Sequence, residues 1–447
     1  MRIAVLFDEH GANIPADGDP SACAVRATPD ELASALRAAQ ERLREVPIDA
    51  ILGLLDAAGQ AWVQPGHPAA RTLAGLSMGF LPLWLRRHNL EVHCDLALRG
   101  NRCAVDRFVP VPPGARLLHR AQPRGLVVHW LAGNVPLLGM ISIVQGLLGK
   151  NANLVKVARR NAGVLPFFLD ALSRAAYTRS NGEAIVGRVL TDAVRVVYAT
   201  REDTQAARAM SLLADLRVAW GGREAVEAIM NLPRRFGTED LIFGPKTSFA
   251  IVGADVLADE AAARRAARLA ALDTVALEQR GCNSPHAVFV ERGGGVSPAG
   301  FAALVGEELR AATQRLPAPS LTVPEAFEVA SLRAEYDMRG EAWYDQPVTW
   351  TVLFGEEDRG LPPPCYGRTL FVRPVNDVFD VVPLCSVGTQ TAGLAVGERR
   401  LRLADALTAR GIERCPELGR MSVYESPWDG VYAIDRMVRW VSASATP

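Results

Sequence analysis

Cys282 is the residue whose type and position best suit covalent chemistry. It follows Arg280 and Gly281 and precedes an Asn-Ser-Pro segment, so the chain is expected to turn at the thiol. A thiolate on a turn can be reached by a substrate and is a strong nucleophile. The charge of Arg280 could favour the ionised thiol. The alternative is a buried structural cysteine, which is the commonest fate of a free cysteine.

Composition excludes several other classes of protein. The seven cysteines are scattered, with no CxxC pair and no histidine at zinc-ligand spacing, so neither a metal site nor a disulfide framework is expected. That pattern, with no signal peptide at the N-terminus, favours a reducing cytoplasm. The 49 basic and 49 acidic residues balance, which gives no net attraction to nucleic acid. The apolar stretch 126–149 carries His129, Asn134 and Gln145, a polar load that argues against a membrane span.

The hydrophobic pattern predicts the elements that must position these groups. Four apolar strand-like runs alternate with helical segments from about residue 121, and the pattern restarts after residue 245. Such alternation is typical of parallel sheets covered on both faces, here in two α/β domains. Residues 28–45 begin with a Thr-x-x-Glu capping pattern and helical spacing follows, so the N-terminal segment is expected to be α-helical.

Polar residues and glycines stand where the predicted strands end, which is where parallel sheets bind ligands. They are Asn134 after the first strand, Lys156, Arg159 and Arg160 at the end of the second, and Gly221 and Gly222 after the fourth. A glycine pair lets the backbone approach a phosphate. A helix N-cap at Asn134, a solvated basic turn and an ordinary tight turn are the simpler interpretations. The chain has neither GxGxxG nor GxxxxGK[ST], so a dinucleotide would need another binding mode.

Three segments together resemble the LuxC acyl-CoA reductase family, which is similar to the aldehyde dehydrogenase superfamily. They are HWLAGNVPLLGMISIVQGLLGKNANLVKVA, ALEQRGCNSPHAVFVE and SPWDGVY. The resemblance implies an aldehyde-dehydrogenase-like α/β fold, with two Rossmann-like parallel-sheet domains and an α-helical N-terminal segment. The superfamily binds its dinucleotide without the usual glycine motif. The implied divisions are a helical segment 1–120, a dinucleotide-binding domain 121–245, a catalytic cysteine domain 246–425 and a C-terminal segment 426–447.

The resemblance also implies roles for the marked residues. Cys282 falls on the family's nucleophile, and Asn134 on the asparagine whose amide stabilises the oxyanion together with the nucleophile's own N–H. Lys156 matches a contact to the cofactor's adenosine ribose, and Gly221 and Gly222 match a turn facing the pyrophosphate. Members that prefer NAD carry an acidic residue near Arg159 and Arg160. Arginines suit a 2′-phosphate instead, which favours NADPH and leaves NADH possible.

One departure from the superfamily pattern bears on the reaction. Aldehyde-oxidising members carry a glutamate in a LELGGK-like segment that activates water against the acyl-enzyme, whereas the matching LIFGPK segment has Ile242. Isoleucine cannot act as a base, so hydrolysis of an acyl-enzyme is expected to be slow. The glutamate that holds the nicotinamide ribose has no acidic counterpart in the stretch 367–375. His129, His286 and Asp429 are expected to be structural.

These features predict an NADPH-dependent reductase that converts an acyl thioester, on coenzyme A or an acyl carrier protein, into an aldehyde through an acyl-enzyme on Cys282. Aldehyde oxidation and acyl-phosphate reduction are alternatives within the superfamily, and a non-catalytic acyl-transfer scaffold is the alternative outside it. The expected partners are the acyl thioester, an acyl-transferring enzyme and further copies of the chain. Nucleic acid, membrane and metal are not expected.

Overall fold

A computed structural model describes residues 1–15, 18–76, 78–111, 113 and 116–444. The chain divides into two compact units, Met1–Gly244 with Tyr424–Pro447, and Pro245–Val423. We call them the first and the second unit. Within the described residues, no helix is long and apolar enough to cross a membrane.

The first 244 residues supply most of the first unit. The strands are β1 (Ile3–Asp8), β2 (Gly11–Ala12), β3 (Arg26–Ala27), β4 (Val109–Pro110), β5 (Leu117–Pro123), β6 (Leu126–Trp130), β7 (Ala152–Lys156), β8 (Ala176–Thr178), β9 (Ala184–Val186), β10 (Val194–Tyr198), β11 (Leu216–Trp220) and β12 (Glu239–Phe243). The helices are α1 (Pro29–Glu45), α2 (Ile48–Trp62), α3 (Pro68–Gly75), α4 (Phe80–Trp84), α5 (Arg87–Ala97), α6 (Pro136–Leu148), α7 (Val164–Ser173), α8 (Arg188–Thr191), α9 (Thr204–Leu213) and α10 (Arg223–Met230). Short 3₁₀ helices cover Pro20–Ala22, Arg102–Val105 and Arg159–Asn161.

The main sheet of the first unit has the strand order β12-β11-β6-β7-β10-β1-β2, with β3 also pairing with β1. The five strands from β12 to β10 are parallel, as the alternation of strands and helices predicted. Apolar residues of α1 pack on one face of this sheet, beside Val128 and Leu154. The N-terminal helix therefore belongs to the same core as the sheet, and its predicted capping box between Thr28 and Glu31 is present.

The N-terminal segment 1–120, expected to be helical, also contains the unpredicted strands β1 to β4 and the start of β5. Strand β1 pairs antiparallel with β10 and extends the parallel sheet at that side. Its five residues Ile3–Phe7 are buried. A short apolar run at the start of a chain gives no periodicity long enough to distinguish a strand, which is why this element was missed.

Residues 245–423 form the second unit. The strands are β13 (Thr247–Val252), β14 (Pro285–Glu291), β15 (Glu341–Tyr344), β16 (Thr351–Phe354), β17 (Thr369–Val375) and β18 (Thr389–Ala395). The helices are α11 (Glu260–Val275), α12 (Pro298–Arg315), α13 (Val323–Arg339) and α14 (Arg400–Thr408), with 3₁₀ helices at Val378–Leu384 and Gly397–Arg399. The strand order is β15-β16-β17-β14-β13-β18, and all neighbours except β15 and β16 are parallel.

Both faces of this second sheet are buried, as its apolar strands require. Along β13, Ala250 and Val252 point to a core formed with α11 and α12. Phe249 and Ile251 point to the opposite core, formed with α13 and α14. Successive strand residues face opposite sides, so a strand covered twice is apolar throughout. The two parallel sheets confirm the predicted α/β class.

The last residues return to the first unit as α15 (Ala433–Arg436) and β19 (Val438–Ser444). Strand β19 pairs antiparallel with β5, and β5 pairs with β4, forming a separate three-stranded sheet. Asp429 lies between Trp428 and Val431, which bridge each other, and has a positive φ of 48°. It therefore occupies a turn, as expected.

His129 is a structural histidine in the middle of β6. It is fully buried, and its ring nitrogens lie 2.9 Å from Ser142 Oγ and 3.0 Å from Asn153 Oδ1. Asn153 comes this close because Gly146 of α6 has no side chain, since a Cβ there would lie 2.0 Å from Asn153 Oδ1. Burial lowers the pKa of His129 from 6.5 to about 4. The histidine is thus neutral in the folded protein, as expected for a buried structural group.

This shift predicts an acid-sensitive fold. Between the folded pKa of about 4 and the ordinary 6.5, the unfolded chain binds a proton at His129 that the folded chain does not. Stability is therefore lost as pH falls, by about 2 kcal/mol for this residue between pH 8 and pH 5. Urea unfolding of wild type and His129→Gln at both pH values should show that drop reduced by this amount in the variant. Substituting the exposed His10 should leave the drop unchanged, and an unchanged drop in His129→Gln would contradict the assignment.

Candidate functional site

The structure places the predicted oxyanion donor Asn134 and the predicted cofactor residues at one end of the main sheet of the first unit. Asn134 follows β6, Lys156 ends β7, and Gly221 follows β11. These strands are neighbours in the order β11-β6-β7 and run parallel, so their carboxyl ends lie side by side. We call the residues that follow these ends, 131–135, 157–161 and 221–222, the carboxyl edge.

The strand order reverses at this edge. The chain passes from β6 to β7 and on to β10 on one side, and then places β11 on the other side of β6. Open α/β sheets bind ligands at such a reversal, outside the carboxyl ends of the strands. The loops there are tied together, because Asn161 Nδ2 donates to Ala132 O at 3.2 Å and Leu131 N donates to Lys156 O at 3.1 Å. The carboxyl edge is therefore a fixed surface able to receive an extended ligand.

Asn134 does not cap the helix that follows it. Val135 occupies the N-cap position of α6, Pro136 takes the first helical position, and no side chain caps the helix. Asn134 is exposed. The simpler interpretation of Asn134 as the N-cap residue is therefore wrong, because Val135 holds that position.

Lys156 is half-buried at the end of β7. Burial lowers the pKa of its ammonium, and the carboxylate of Glu202, which follows β10, partly opposes that effect. The stem of Lys156 is thus held by the sheet while its charged end has one acidic neighbour. Glu202 was not marked in the sequence because no motif surrounds it.

The two arginines after β7 differ in their contacts. Arg159 Nη2 lies 2.8 Å from Asp19 Oδ2, although the Arg159 side chain is 62% exposed. The backbone N–H of Ser21 and the guanidinium of Arg159 lower the pKa of Asp19. The stem of Arg160 lies against Gly133, where a Cβ would come within 3.3 Å of it. Both cations therefore stand at the carboxyl edge, and an acidic residue from the N-terminal segment faces one of them.

The glycine pair leaves space at the start of α10. Gly222 is the N-cap of this helix and has no side chain to satisfy the first backbone N–H groups. Among the residues that the structure describes, a Cβ on Gly222 would meet no atom within 4 Å, and one on Gly221 would meet only Ala225 Cβ, at 3.3 Å. The helix start is therefore open, and its unsatisfied N–H groups are suited to an anion.

In the second unit, Cys282 lies in a turn just before β14. Ser284 N donates to Gly281 O at 3.0 Å, which closes the turn. Ser248 Oγ donates to Cys282 O at 2.6 Å, so the backbone of the cysteine is fixed from β13. The Cys282 residue is only half-buried. The predicted turn is present, and residues 278–284, which carry the predicted nucleophile, are called the nucleophile turn below.

The nucleophile turn begins with an unusual backbone. Glu278 and Gln279 have positive φ values of 51° and 54°, which residues with a side chain rarely adopt. The fully buried Arg368 binds both carboxylate oxygens of Glu278, at 2.8 and 2.5 Å. Gln279 pairs its amide with the backbone of Thr369, accepting at 2.9 Å and donating at 2.7 Å. These contacts hold the left-handed residues in place.

Arg280, whose charge was expected to favour the ionised thiol, has an acidic and an aromatic partner in the structure. Its guanidinium binds Glu325 at 2.5 Å and lies over the ring of Tyr366, 4.2 Å from the ring centroid. The Arg280 side chain holds the pKa of Glu325 down, at about 2. The cation is thus committed to an acidic partner on α13, because a carboxylate offers it a charge-assisted hydrogen bond.

Most of the other thiols are poor nucleophiles. Burial raises the pKa of Cys94 and Cys385 to about 12 and that of Cys365 and Cys415 to about 11. A thiol that stays protonated near neutral pH is unreactive.

His286 is the second residue of β14, next to the nucleophile turn. Its side chain is buried, its Nδ1 lies 3.1 Å from Cys365 O, and burial lowers the pKa of its imidazole. It is a structural histidine, as expected.

Ile242 lies in β12, opposite Ala219 of β11, and is partly buried against the apolar core of the first unit. It packs as an ordinary core residue.

In the described part of the chain, no group of three or more His, Cys, Asp or Glu residues is arranged to hold a metal ion.

Comparison with known proteins identifies relatives over most of the chain. The profile of the family described as "Acyl-CoA reductase (LuxC)" matches residues 43–440. The long-chain acyl-protein thioester reductase of Vibrio harveyi is 25% identical over 417 residues, which are 90% of this chain and 83% of that protein. The protein of the same name from Aliivibrio fischeri is 30% identical over 338 residues, which are 72% of this chain and 64% of that protein.

Solved structures confirm the predicted aldehyde-dehydrogenase-like fold. A NAD-dependent benzaldehyde dehydrogenase from Corynebacterium glutamicum has a TM-score of 0.59 at 15% identity, covering 99% of this chain and 94% of that one. Glyceraldehyde-3-phosphate dehydrogenase GapN from Methanocaldococcus jannaschii, complexed with NADP, has a TM-score of 0.65 at 12% identity, covering 93% and 94%. At such identities the similarity concerns the fold alone.

The ion pair beneath the nucleophile turn should be a major source of stability in the second unit. Arg368→Met leaves the Glu278 carboxylate without its buried partner and should lower the free energy of unfolding by about 3 kcal/mol. Adding Glu278→Gln should recover part of that loss, because the unpaired charge is removed. The exposed Arg264, paired with Glu307, provides the control, and its substitution by Met should cost under about 1 kcal/mol. Equal losses for the two arginines in urea unfolding would contradict the bracing role.

Proposed function

Because this chain belongs to the LuxC acyl-CoA reductase family, we propose that it reduces an acyl thioester to an aldehyde through an acyl-enzyme on Cys282. The observation that carries the proposal is the nucleophile turn, which presents a half-buried thiol on a backbone fixed by Ser248. The curated relatives are named for long-chain acyl-protein thioesters, so the proposed substrates are acyl groups on a protein thiol or on coenzyme A.

In the proposed reaction, the Cys282 thiolate attacks the thioester carbonyl and forms a new carbon–sulfur bond. Asn134 and the backbone N–H of Cys282 donate hydrogen bonds to the oxyanion, and the donor thiol leaves with a proton. The acyl group is then a thioester of Cys282. Hydride addition to its carbonyl carbon and protonation of the oxygen give a thiohemiacetal. Its hydroxyl proton is lost to water and its carbon–sulfur bond breaks, which releases the aldehyde and the thiolate.

A nicotinamide dinucleotide supplies that hydride when bound. The carboxyl ends of the strands fit such a group, because they combine an open helix start at Gly222 with Lys156 at the end of β7 and two arginines in the loop that follows it. In the proposal, Gly221, Gly222 and the first N–H groups of α10 receive the pyrophosphate, and Lys156 binds the adenosine ribose. In the same proposal, Arg159 and Arg160 bind the 2′-phosphate of NADPH.

Ile242 supports reduction over hydrolytic aldehyde oxidation. A hydrolytic enzyme needs a base that activates water against the acyl-enzyme, and an isoleucine packed against the core cannot act as one. The acyl-enzyme is therefore expected to persist until hydride arrives. An acyl-transferring partner enzyme and a homo-oligomeric assembly belong to the same proposal.

The covalent role of Cys282 can be tested directly. Cys282→Ala should abolish aldehyde formation and leave cofactor binding unchanged, because the cofactor residues lie in the first unit. Wild type incubated with an acyl thioester and no cofactor should carry one acyl group on Cys282 in peptide mass spectrometry. Cys103, another half-buried thiol, provides the control, and Cys103→Ala should keep its activity. An adduct on another cysteine, or full activity of Cys282→Ala, would contradict the mechanism.

The preference of the enzyme for NADPH over NADH tests the proposed role of Arg159 and Arg160. A charge-assisted contact to phosphate contributes about 1.5–3 kcal/mol, and exposure reduces it, so we expect NADPH to be preferred over NADH by about tenfold. The double variant Arg159→Ala/Arg160→Ala should narrow that preference, chiefly by raising the KM for NADPH. Arg174, an exposed arginine at the far end of α7, provides the control, and Arg174→Ala should not change the preference. Equal use of NADH and NADPH by wild type would show that the arginines form only a solvated turn.

A further inference from the structure

We propose that Asp273, a buried carboxylate of α11, is a positioning residue that sets the geometry of the nucleophile turn through the backbone of Met421 and the side chain of Asn283. The inference deepens the proposed function and rests on the role given there to Cys282. All the residues involved belong to the second unit.

The Asp273 carboxylate holds a segment that is distant in sequence. Asp273 is 2% exposed, and it accepts hydrogen bonds from Gly419 N at 2.6 Å and Met421 N at 3.0 Å. Burial raises the pKa of Asp273 to about 7, while the backbone N–H groups of Gly419, Met421 and Ser422 and the charge of Arg414 lower it. A buried carboxylate is costly, and here backbone donors from one segment compensate for that cost.

Met421 links this carboxylate to the nucleophile turn. Its N–H donates to Asp273, and its carbonyl oxygen accepts from Asn283 Nδ2 at 2.7 Å. Arg414 adds a longer contact to the same carbonyl oxygen, at 3.3 Å, and donates to Val423 O at 2.7 Å. A displacement of the Met421 peptide would therefore move the partner of Asn283.

Asn283 directly follows Cys282 in the chain, so the position of Asn283 affects that of the cysteine. Asn283 is 2% exposed, and its side chain lies over Gly281, where a Cβ would come within 2.5 Å of Asn283 Oδ1. The turn is thus held at the Cys282 carbonyl by Ser248 and at the Asn283 side chain by Met421. Acyl transfer depends on the direction of the thiol and of the cysteine N–H, and small misplacements of reacting groups are costly in rate.

A second buried carboxylate, Glu291, provides a control that distinguishes an effect on the position of the turn from a general loss of stability. Glu291 is also buried in the second unit and accepts from Ala254 N at 2.7 Å and Val378 N at 3.3 Å. It lies at the last residue of β14, whereas the nucleophile turn precedes the first. Glu291→Gln should therefore destabilise the fold without altering the turn.

The experiment compares wild type, Asp273→Asn, Asn283→Ala, the double variant and Glu291→Gln at pH 8, where Asp273 is ionised. The first-turnover rate of thiol release from an acyl-coenzyme A should fall by about tenfold in each of the two positioning variants, with KM unchanged. The rate of the double variant should fall no further than that of the slower single variant, because both substitutions interrupt the same chain of contacts between Asp273 and Cys282. Glu291→Gln should keep the wild-type rate while unfolding at lower urea concentration.

Alkylation of Cys282 by iodoacetamide provides a second measurement that needs no acyl substrate. A loosened turn exposes the half-buried thiol, so the alkylation rate should rise more than about threefold in Asp273→Asn and Asn283→Ala but not in Glu291→Gln. Additive losses in the double variant, an equal loss in Glu291→Gln, or wild-type rates in Asp273→Asn would overturn the inference. Thiol release that persists in Cys282→Ala would instead contradict the proposed function, and the alkylation rates would still decide the role of Asp273.

Discussion

The nucleophile turn depends on contacts that compensate for an unfavourable backbone. Two successive residues, Glu278 and Gln279, adopt left-handed φ values that cost free energy for any residue with a side chain. Arg368 and the backbone of Thr369 hold them there from the start of β17. The chain can therefore leave α11, turn at the cysteine and enter β14 within a few residues, which places a thiol at the amino end of a buried strand.

The two units use the same type of sheet in different ways. In the first unit, the carboxyl ends of three neighbouring parallel strands gather an open helix start and basic side chains, an arrangement suited to a phosphate-bearing ligand. In the second unit, the proposed nucleophile Cys282 precedes a strand, and polar side chains from several elements fix the turn that carries it. The first arrangement relies on backbone N–H groups and charge, and the second relies on buried hydrogen bonds that orient one group.

The sequence predicted the elements whose signal is local. Strands such as β6 and β13 are recognised by residues that are apolar on both faces. Four consecutive residues are enough to predict the capping box of α1. The glycine and proline beside Cys282 predict its turn. Long-range partners could not be predicted in this way. Such contacts depend on how distant segments pack, and neither periodicity nor a motif predicts them. Examples are the pairs Arg280 with Glu325, Arg159 with Asp19 and Asp273 with Met421.

The central claim is that the chain forms an acyl-enzyme that persists until hydride arrives, because Ile242 stands in place of a carboxylate and cannot activate water. The most direct test is the stoichiometry of thiol release from an acyl-coenzyme A thioester in the absence of cofactor. The account predicts a burst of one equivalent of thiol per chain, followed by a halt, and then one equivalent of aldehyde when NADPH is added after the unreacted thioester has been removed. Continuous thiol release without cofactor would show that water cleaves the acyl-enzyme, and no burst at all would show that none forms.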